Sequence, residues 1–174
     1  MLLKKMTLLL IIFYIFFFKI FKIVVFCAEY SSPVIAFDIN FDNYSEIIAF
    51  TNDKKYIIYN QYLEKISEKQ LSATVTKLPA IADIDYDGRI DIICVANNGQ
   101  IYAFDALTGI NKSGFENLKI TLSTPTVPVI GDIDGDSELE IIVNAKHIYA
   151  FNNRGQIKPN FPYNLYSDPE KPLI

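Results

Sequence analysis

The sequence predicts an all-β fold made of repeated four-stranded units, and three observations carry that prediction. An acidic stretch with side-chain oxygens at alternate positions occurs three times, a continuous apolar run follows each copy, and an aromatic strand follows each run after a short turn. A repeat of this kind decides the architecture before any single site does.

The clearest acidic stretch is Asp83-Ile84-Asp85-Tyr86-Asp87-Gly88-Arg89-Ile90-Asp91, with carboxylates at positions 1, 3, 5 and 9 of a nine-residue loop and glycine at position 6. The same spacing recurs at Asp132-Ile133-Asp134-Gly135-Asp136-Ser137-Glu138-Leu139-Glu140 and, more weakly, at Asp38-Ile39-Asn40-Phe41-Asp42-Asn43-Tyr44-Ser45-Glu46. Carboxylates this close repel one another. A hard divalent cation relieves that repulsion best, because calcium accepts roughly six to eight oxygen ligands in a flexible shell. Gly88 suits a turn that needs positive φ.

A helical calcium loop is excluded. An EF-hand needs a bidentate Glu at position 12 with helices on both sides, and position 12 is Ala49, Cys94 or Val143. The segments Ile47-Ile48-Ala49-Phe50, Ile92-Ile93-Cys94-Val95-Ala96 and Ile141-Ile142-Val143 instead read as strands buried on both faces. A second strand follows each of them: Tyr56-Ile57-Ile58-Tyr59-Asn60, Ile101-Tyr102-Ala103-Phe104-Asp105 and Ile148-Tyr149-Ala150-Phe151-Asn152. The connection Asn97-Asn98-Gly99-Gln100 carries a strong hairpin signal, since Asn and Gly tolerate positive φ. With an apolar strand before the loop and an outer strand at the end, each unit is one four-stranded blade. Glu64–Thr76 and Phe115–Leu122 are the expected outer strands of the first two units.

The pattern Pro-x-Ile-x-Asp-x-Asp-x-Asp-Gly-x-x-Asp-Ile-Ile followed by Ile-Tyr-Ala-Phe-Asp resembles the calcium-loop blades of FG-GAP and VCBS repeat proteins, relatives of the integrin alpha propeller. Phe151-Asn152-Asn153-Arg154-Gly155-Gln156 and Phe161-Pro162 are similar to the connection between blades in that family. The resemblance covers the chain from Ser32 onward. It implies an incomplete β-propeller of about three four-stranded blades, forming an open arc. It further implies side-chain calcium ligands at Asp83, Asp85, Asp87 and Asp91, then Asp132, Asp134, Asp136 and Glu140, with backbone carbonyls from Arg89 and Glu138. In the first loop the ligands would be Asp38, Asn40, Asp42 and Glu46, the weakest of the three sites, since charge and glycine are both lost there. The third loop departs as well, with Ser137 at position 6 and its glycine two residues early.

Taken in order, residues 1–28 form a hydrophobic helical segment with Lys4 and Lys5 ahead of the run Leu8–Phe18, which reads as a secretory signal. An uncleaved membrane anchor is the other reading, because Lys19 and Lys22 can snorkel. Residues 29–174 form the partial propeller, with units at about 32–76, 77–122 and 123–166 and the start of a fourth at 167–174. Ser167-Asp168-Pro169 matches Ser123-Thr124-Pro125, so the sequence stops just before a fourth acidic loop would begin. The expectation is therefore a chain that continues into further blades or assembles with itself, since three blades leave open sheet edges.

Net charge is −4 with no basic stripe outside the first segment, which argues against nucleic acid as a partner. With only Cys27 and Cys94 there is no disulfide framework, and Cys94 is expected as an unpaired core residue. His147 is the sole histidine and lies in a turn. The triplets Asn43-Tyr44-Ser45 and Asn111-Lys112-Ser113 match a glycosylation pattern weakly. No nucleophile–base pair, phosphate loop or metal-bound water position can be read. The expected function is an exported, non-catalytic calcium-binding module, secreted or at the cell surface, that binds a protein or glycan, with calcium in a structural role. The alternative is the front part of a propeller enzyme, quinoprotein-like or a polysaccharide lyase. Ile101–Gly109 resembles a quinoprotein blade, but the chain has no tryptophan for cofactor docking.

Overall fold

The apolar runs behind the acidic loops become the central strands of three small antiparallel sheets. The structure is a computed structural model that describes residues 30–121 and 126–164. The expected hydrophobic helix of 1–28 and the fourth unit at 167–174 lie outside the described residues.

The first sheet has the order β1 (Ile35–Phe37), β2 (Glu46–Phe50), β3 (Lys55–Tyr59), β4 (Lys65–Gln70). The second is β5 (Ala80–Ala82), β6 (Asp91–Val95), β7 (Ile101–Asp105), and the third is β8 (Val129–Gly131), β9 (Glu140–Asn144), β10 (Ile148–Phe151). Register repeats from sheet to sheet. Ile48 pairs with Ile58, Ile93 with Ala103 and Ile142 with Ala150, while Ile35, Ala80 and Val129 face the same three isoleucines from the other side. Each acidic loop therefore delivers its position 9 as the first residue of a central strand.

The expected outer strand is regular only in the first unit, where β4 pairs with β3. In the second unit it is reduced to the bridges Phe104–Asn111 and Gln100–Lys119, and in the third to Phe151–Ile157 and Ile148–Tyr163. Local chemistry explains both breaks. Lys112 N–H donates to the Ala103 carbonyl, after which Gly114 at φ +89 turns the chain away until Ile120 N–H reaches Gly99. Lys158 N–H donates to Ala150, but the next residue, Pro159, has no N–H to continue the ladder.

Side chains alternate across the pleat, so the two faces of the middle sheet serve two different cores. Ile92, Cys94, Tyr102 and Phe104 join Ile48, Phe50, Tyr56 and Ile58 of the first sheet. Ile93, Val95, Ile101 and Ala103 join Ile141, Val143 and Phe151 of the third. Every residue of β6 and β7 is buried as a result. Tyr56 packs edge-on against Phe104, 4.9 Å between ring centres, and donates its buried hydroxyl to the Ala106 carbonyl at 3.1 Å. Cys94 is a free, fully buried thiol, and burial pushes its pKa up.

Candidate metal centre

All three acidic loops are built by one scheme of internal hydrogen bonds, with position 4 of the third loop donating where position 5 donates in the first two. The position 1 carboxylate accepts two backbone N–H groups across the turn: Asp38 from Asp42 and Asn43, Asp83 from Asp87 and Gly88, Asp132 from Gly135 and Ser137. The position 5 carboxylate accepts the N–H of position 7, as Asp42 does from Tyr44, Asp87 from Arg89 and Asp136 from Glu138. The position 9 carboxylate, at the start of β2, β6 or β9, accepts the N–H of position 2: Ile39 to Glu46 at 3.0 Å, Ile84 to Asp91 at 3.2 Å, Ile133 to Glu140 at 3.0 Å.

That last bond places the isoleucine. Ile39 enters the core between the first and second sheets, and Ile84 the core between the second and third. Ile133 is 47% exposed, with no further sheet packed on it among the described residues.

Two positions of every loop are left-handed, not one. Positions 4 and 6 have positive φ throughout: Phe41 and Asn43, Tyr86 and Gly88, Gly135 and Ser137. Gly135 is thus not displaced by two residues; it serves the other left-handed position. Each of the two complete loops has glycine at one of these places and a strained residue at the other.

In the second and third loops one oxygen of the position 9 carboxylate remains, buried. Asp91 Oδ1 and Glu140 Oε1 receive no hydrogen bond of good geometry, and both residues are fully buried. In the second loop Lys112 Nζ stands 3.0 Å from Asp91 Oδ1, 2.8 Å from Asp85 and 3.0 Å from Asp87. In the third loop Lys158 Nζ stands 3.0 Å from Glu140 Oε1, 2.7 Å from Asp134 and 3.2 Å from Asp136. Among the described residues no lysine stands against the carboxylates of the first loop. There Asn40 Nδ2 turns toward Asp42 at 3.1 Å and Glu46 Oε1 at 3.4 Å.

The electrostatics follow from these contacts. The Arg89 guanidinium, 2.7 Å from Asp87 and 3.2 Å from Asp105, holds the Asp87 carboxyl down at about 2. Burial pushes Asp91 up to about 6, and Lys112 recovers part of its charged form. Burial alone would lower the Lys112 pKa, but its close ion pairs with Asp85, Asp87 and Asp91 outweigh that and raise it. Lys158 is raised too, chiefly by its bond to Asp134.

The donor set fits a hard divalent ion. Oxygens of Asp83, Asp85 and Asp91 lie within 4.8 Å of one another, as do those of Asp132, Asp134 and Asp136. These residues would hold calcium, which would supply charge neutralisation and a rigid corner. Of the expected ligands the structure gathers these two sets of three; the acidic residues of the first loop form no such group among the described residues. Arg89 and Glu138 each donate a backbone N–H within their loops, to Asp87 and Asp136, and Arg89 adds its guanidinium to Asp87.

No protein-family model and no curated protein matches the sequence. Solved structures do. BamB from Moraxella catarrhalis superposes with a TM-score of 0.50 at 15% identity, covering 74% of this chain and 35% of that one. BBS1N, solved in complex with ARL6DN and soaked with lead, gives 0.50 at 18% identity over 74% of this chain and 42% of its own. The mercury-soaked crystal of the same complex gives 0.51 at 16%. The fold is that of a β-propeller segment. The chain covers 35–42% of the length of these propellers.

Sequence reasoning missed Lys112 and Lys158. Lys112 was visible only as the middle of a glycosylation triplet. The signal that could have found both is that each comes shortly after an Ile-Tyr-Ala-Phe strand, in the two units whose loops have Asp at position 3.

Proposed function

We propose that this chain is an FG-GAP/VCBS-type propeller module, exported, non-catalytic, and used to bind a protein or glycan outside the cell. The carrying observation is how the acidic loops are spent. Their carboxylates hold their own backbone and set Ile39 and Ile84 into the neighbouring sheets' cores, which is a structural duty. A catalytic metal needs an open ligand position beside a cleft with a positioned base. The contacts of these loops run inward to the chain itself.

The first two loops also present aromatic side chains outward. Phe41 and Tyr86 occupy position 4 of adjacent loops at φ 60 and 57, and are 63% and 59% exposed; Tyr44 is 58% exposed. Holding bulky residues left-handed costs energy, and such strain concentrates at sites of recognition. Exposed tyrosine and phenylalanine supply a large contact area for sugar faces or for a protein hot spot. One of the similar propellers, BBS1N, was solved with a protein partner, ARL6DN. Calcium in this reading is structural, and the first loop, with no lysine among its carboxylates in the described residues, would take it through Asp38, Asn40, Asp42 and Glu46.

The test is an oligosaccharide array together with cross-linking on intact cells, comparing the wild-type chain with Phe41→Ala/Tyr86→Ala. Retention lost in the double variant, with its melting temperature kept, supports the reading. Retention that the double variant leaves untouched moves the binding surface elsewhere, and turnover of a retained sugar would make the chain an enzyme.

A further inference from the structure

We propose that Lys112 and Lys158 are the resident cations of the second and third acidic loops, so that these two corners close without calcium and a metal ion enters only by expelling an ammonium. The geometry repeats in two independent places. Each lysine is anchored by its own N–H at the same point of its blade, on Ala103 or Ala150 at 2.9 Å. Each ammonium reaches the carboxylates of positions 3, 5 and 9, including the buried oxygen that has no well-formed hydrogen bond. An ammonium has three donors, matching three carboxylates.

Charge and counter-charge also go together within the chain. The two loops with Asp at position 3 have the lysine. The loop with Asn40 at position 3 has none among the described residues, and the neutral amide of Asn40 takes the inward place. In the second loop Asp87 Oδ2 is held by Arg89 as well as Lys112, so two cations of the chain already serve one calcium-ligand oxygen. A tethered group competes at high effective concentration without the entropy cost of capturing a free ion. Against it, a calcium site of the weak extracellular kind, with a dissociation constant of about 10⁻⁴ to 10⁻³ M, has little margin.

This inference rests on the structural role of the loops given above, and not on any partner. If partner binding fails, the calcium isotherm is unaffected, so the two can fail separately. The experiment uses the full chain carrying Asp42→Ala, which disables the first loop, with and without Lys112→Met or Lys158→Met. Calcium titration calorimetry is combined with thermal melts in chelator and in millimolar calcium. The expected result is that the Asp42→Ala chain binds no calcium and melts at one temperature in both media. Each Lys→Met chain should melt ~5 °C or more lower in chelator, recover most of that loss in calcium and gain one calcium site. Calcium binding by the Asp42→Ala chain that the lysine replacements leave unchanged overturns the proposal, as does a Lys→Met chain that melts normally in chelator. Should a Lys→Met chain fail to fold, the Asp42→Ala chain decides alone: calcium bound overturns the proposal, none bound supports it.

Discussion

Gly114 and Gly155 meet backbone to backbone: a Cβ on Gly114 would lie 1.9 Å from the Arg154 carbonyl oxygen, and one on Gly155 would lie 2.6 Å from the Gly114 carbonyl oxygen. Both have positive φ, at +89 and +68. The contact joins the outer turn of the second unit to the last turn of the third, and any side chain must push two main chains apart. Gly114→Ala is therefore expected to cost about 3 kcal/mol, from overpacking added to left-handed strain. Gly88→Ala, at φ +81 with nothing within 4 Å, carries the strain alone and should cost about 1–2 kcal/mol. Urea midpoints at constant m-value measure both, and equal losses would show that the glycine contact does not tie the units together.

Ser137 occupies a left-handed position that Gly88 fills in the second loop. Its carbonyl accepts the Tyr86 hydroxyl at 3.0 Å, a main-chain role that any residue keeps. Ser137→Gly should stabilise the chain by about 0.5–1 kcal/mol, the relief of strain exceeding the added freedom of the unfolded chain. A lower melting temperature for this variant would show that the serine side chain has a role its contacts do not reveal.

Two tyrosine hydroxyls separate buried from exposed bonding. Tyr56→Phe strands the Ala106 carbonyl inside the first core and is expected to cost about 1–2 kcal/mol. Tyr86→Phe removes an exposed bond to Ser137, where water replaces the partner, and should cost under about 0.5 kcal/mol. Denaturant unfolding of the two variants side by side checks the order.

Position 9 offers a comparison between loops. Asp91→Asn keeps an acceptor for the Ile84 N–H but removes a buried charge from Lys112, and should cost about 2 kcal/mol or more in chelator. Glu46→Gln keeps an acceptor for the Ile39 N–H and faces only the Asn40 amide at 3.4 Å, so its cost should stay under about 1 kcal/mol. Thermal melts in chelator are the measurement. The opposite order would mean that the second loop does not depend on its ion pair.

The strands were legible because their signals are local. Ile92-Ile93-Cys94-Val95 reads as a strand buried on both faces, and β6 is buried on both, since the two hydrophobic clusters share it. The outer strands of the second and third units were less legible, because Gly114 and Pro159 break a ladder whose frame the first unit suggested. The glycine of the third loop looked misplaced until φ showed two left-handed positions in each loop, a property of the turn that a single glycine samples only in part.

By itself, the sequence determined the repeat, the all-β architecture and the nine-residue acidic loops, since periodicity and carboxylate spacing are written in adjacent residues. The tertiary structure alone decided which cations of the chain stand against the carboxylates of the second and third loops. Lys112 lies 27 residues from Asp85, and Lys158 lies 22 from Asp136. Their ammonium groups arrive only because the outer turns of folded blades return over the loops, and no local pattern in the chain states where a turn of that length will end.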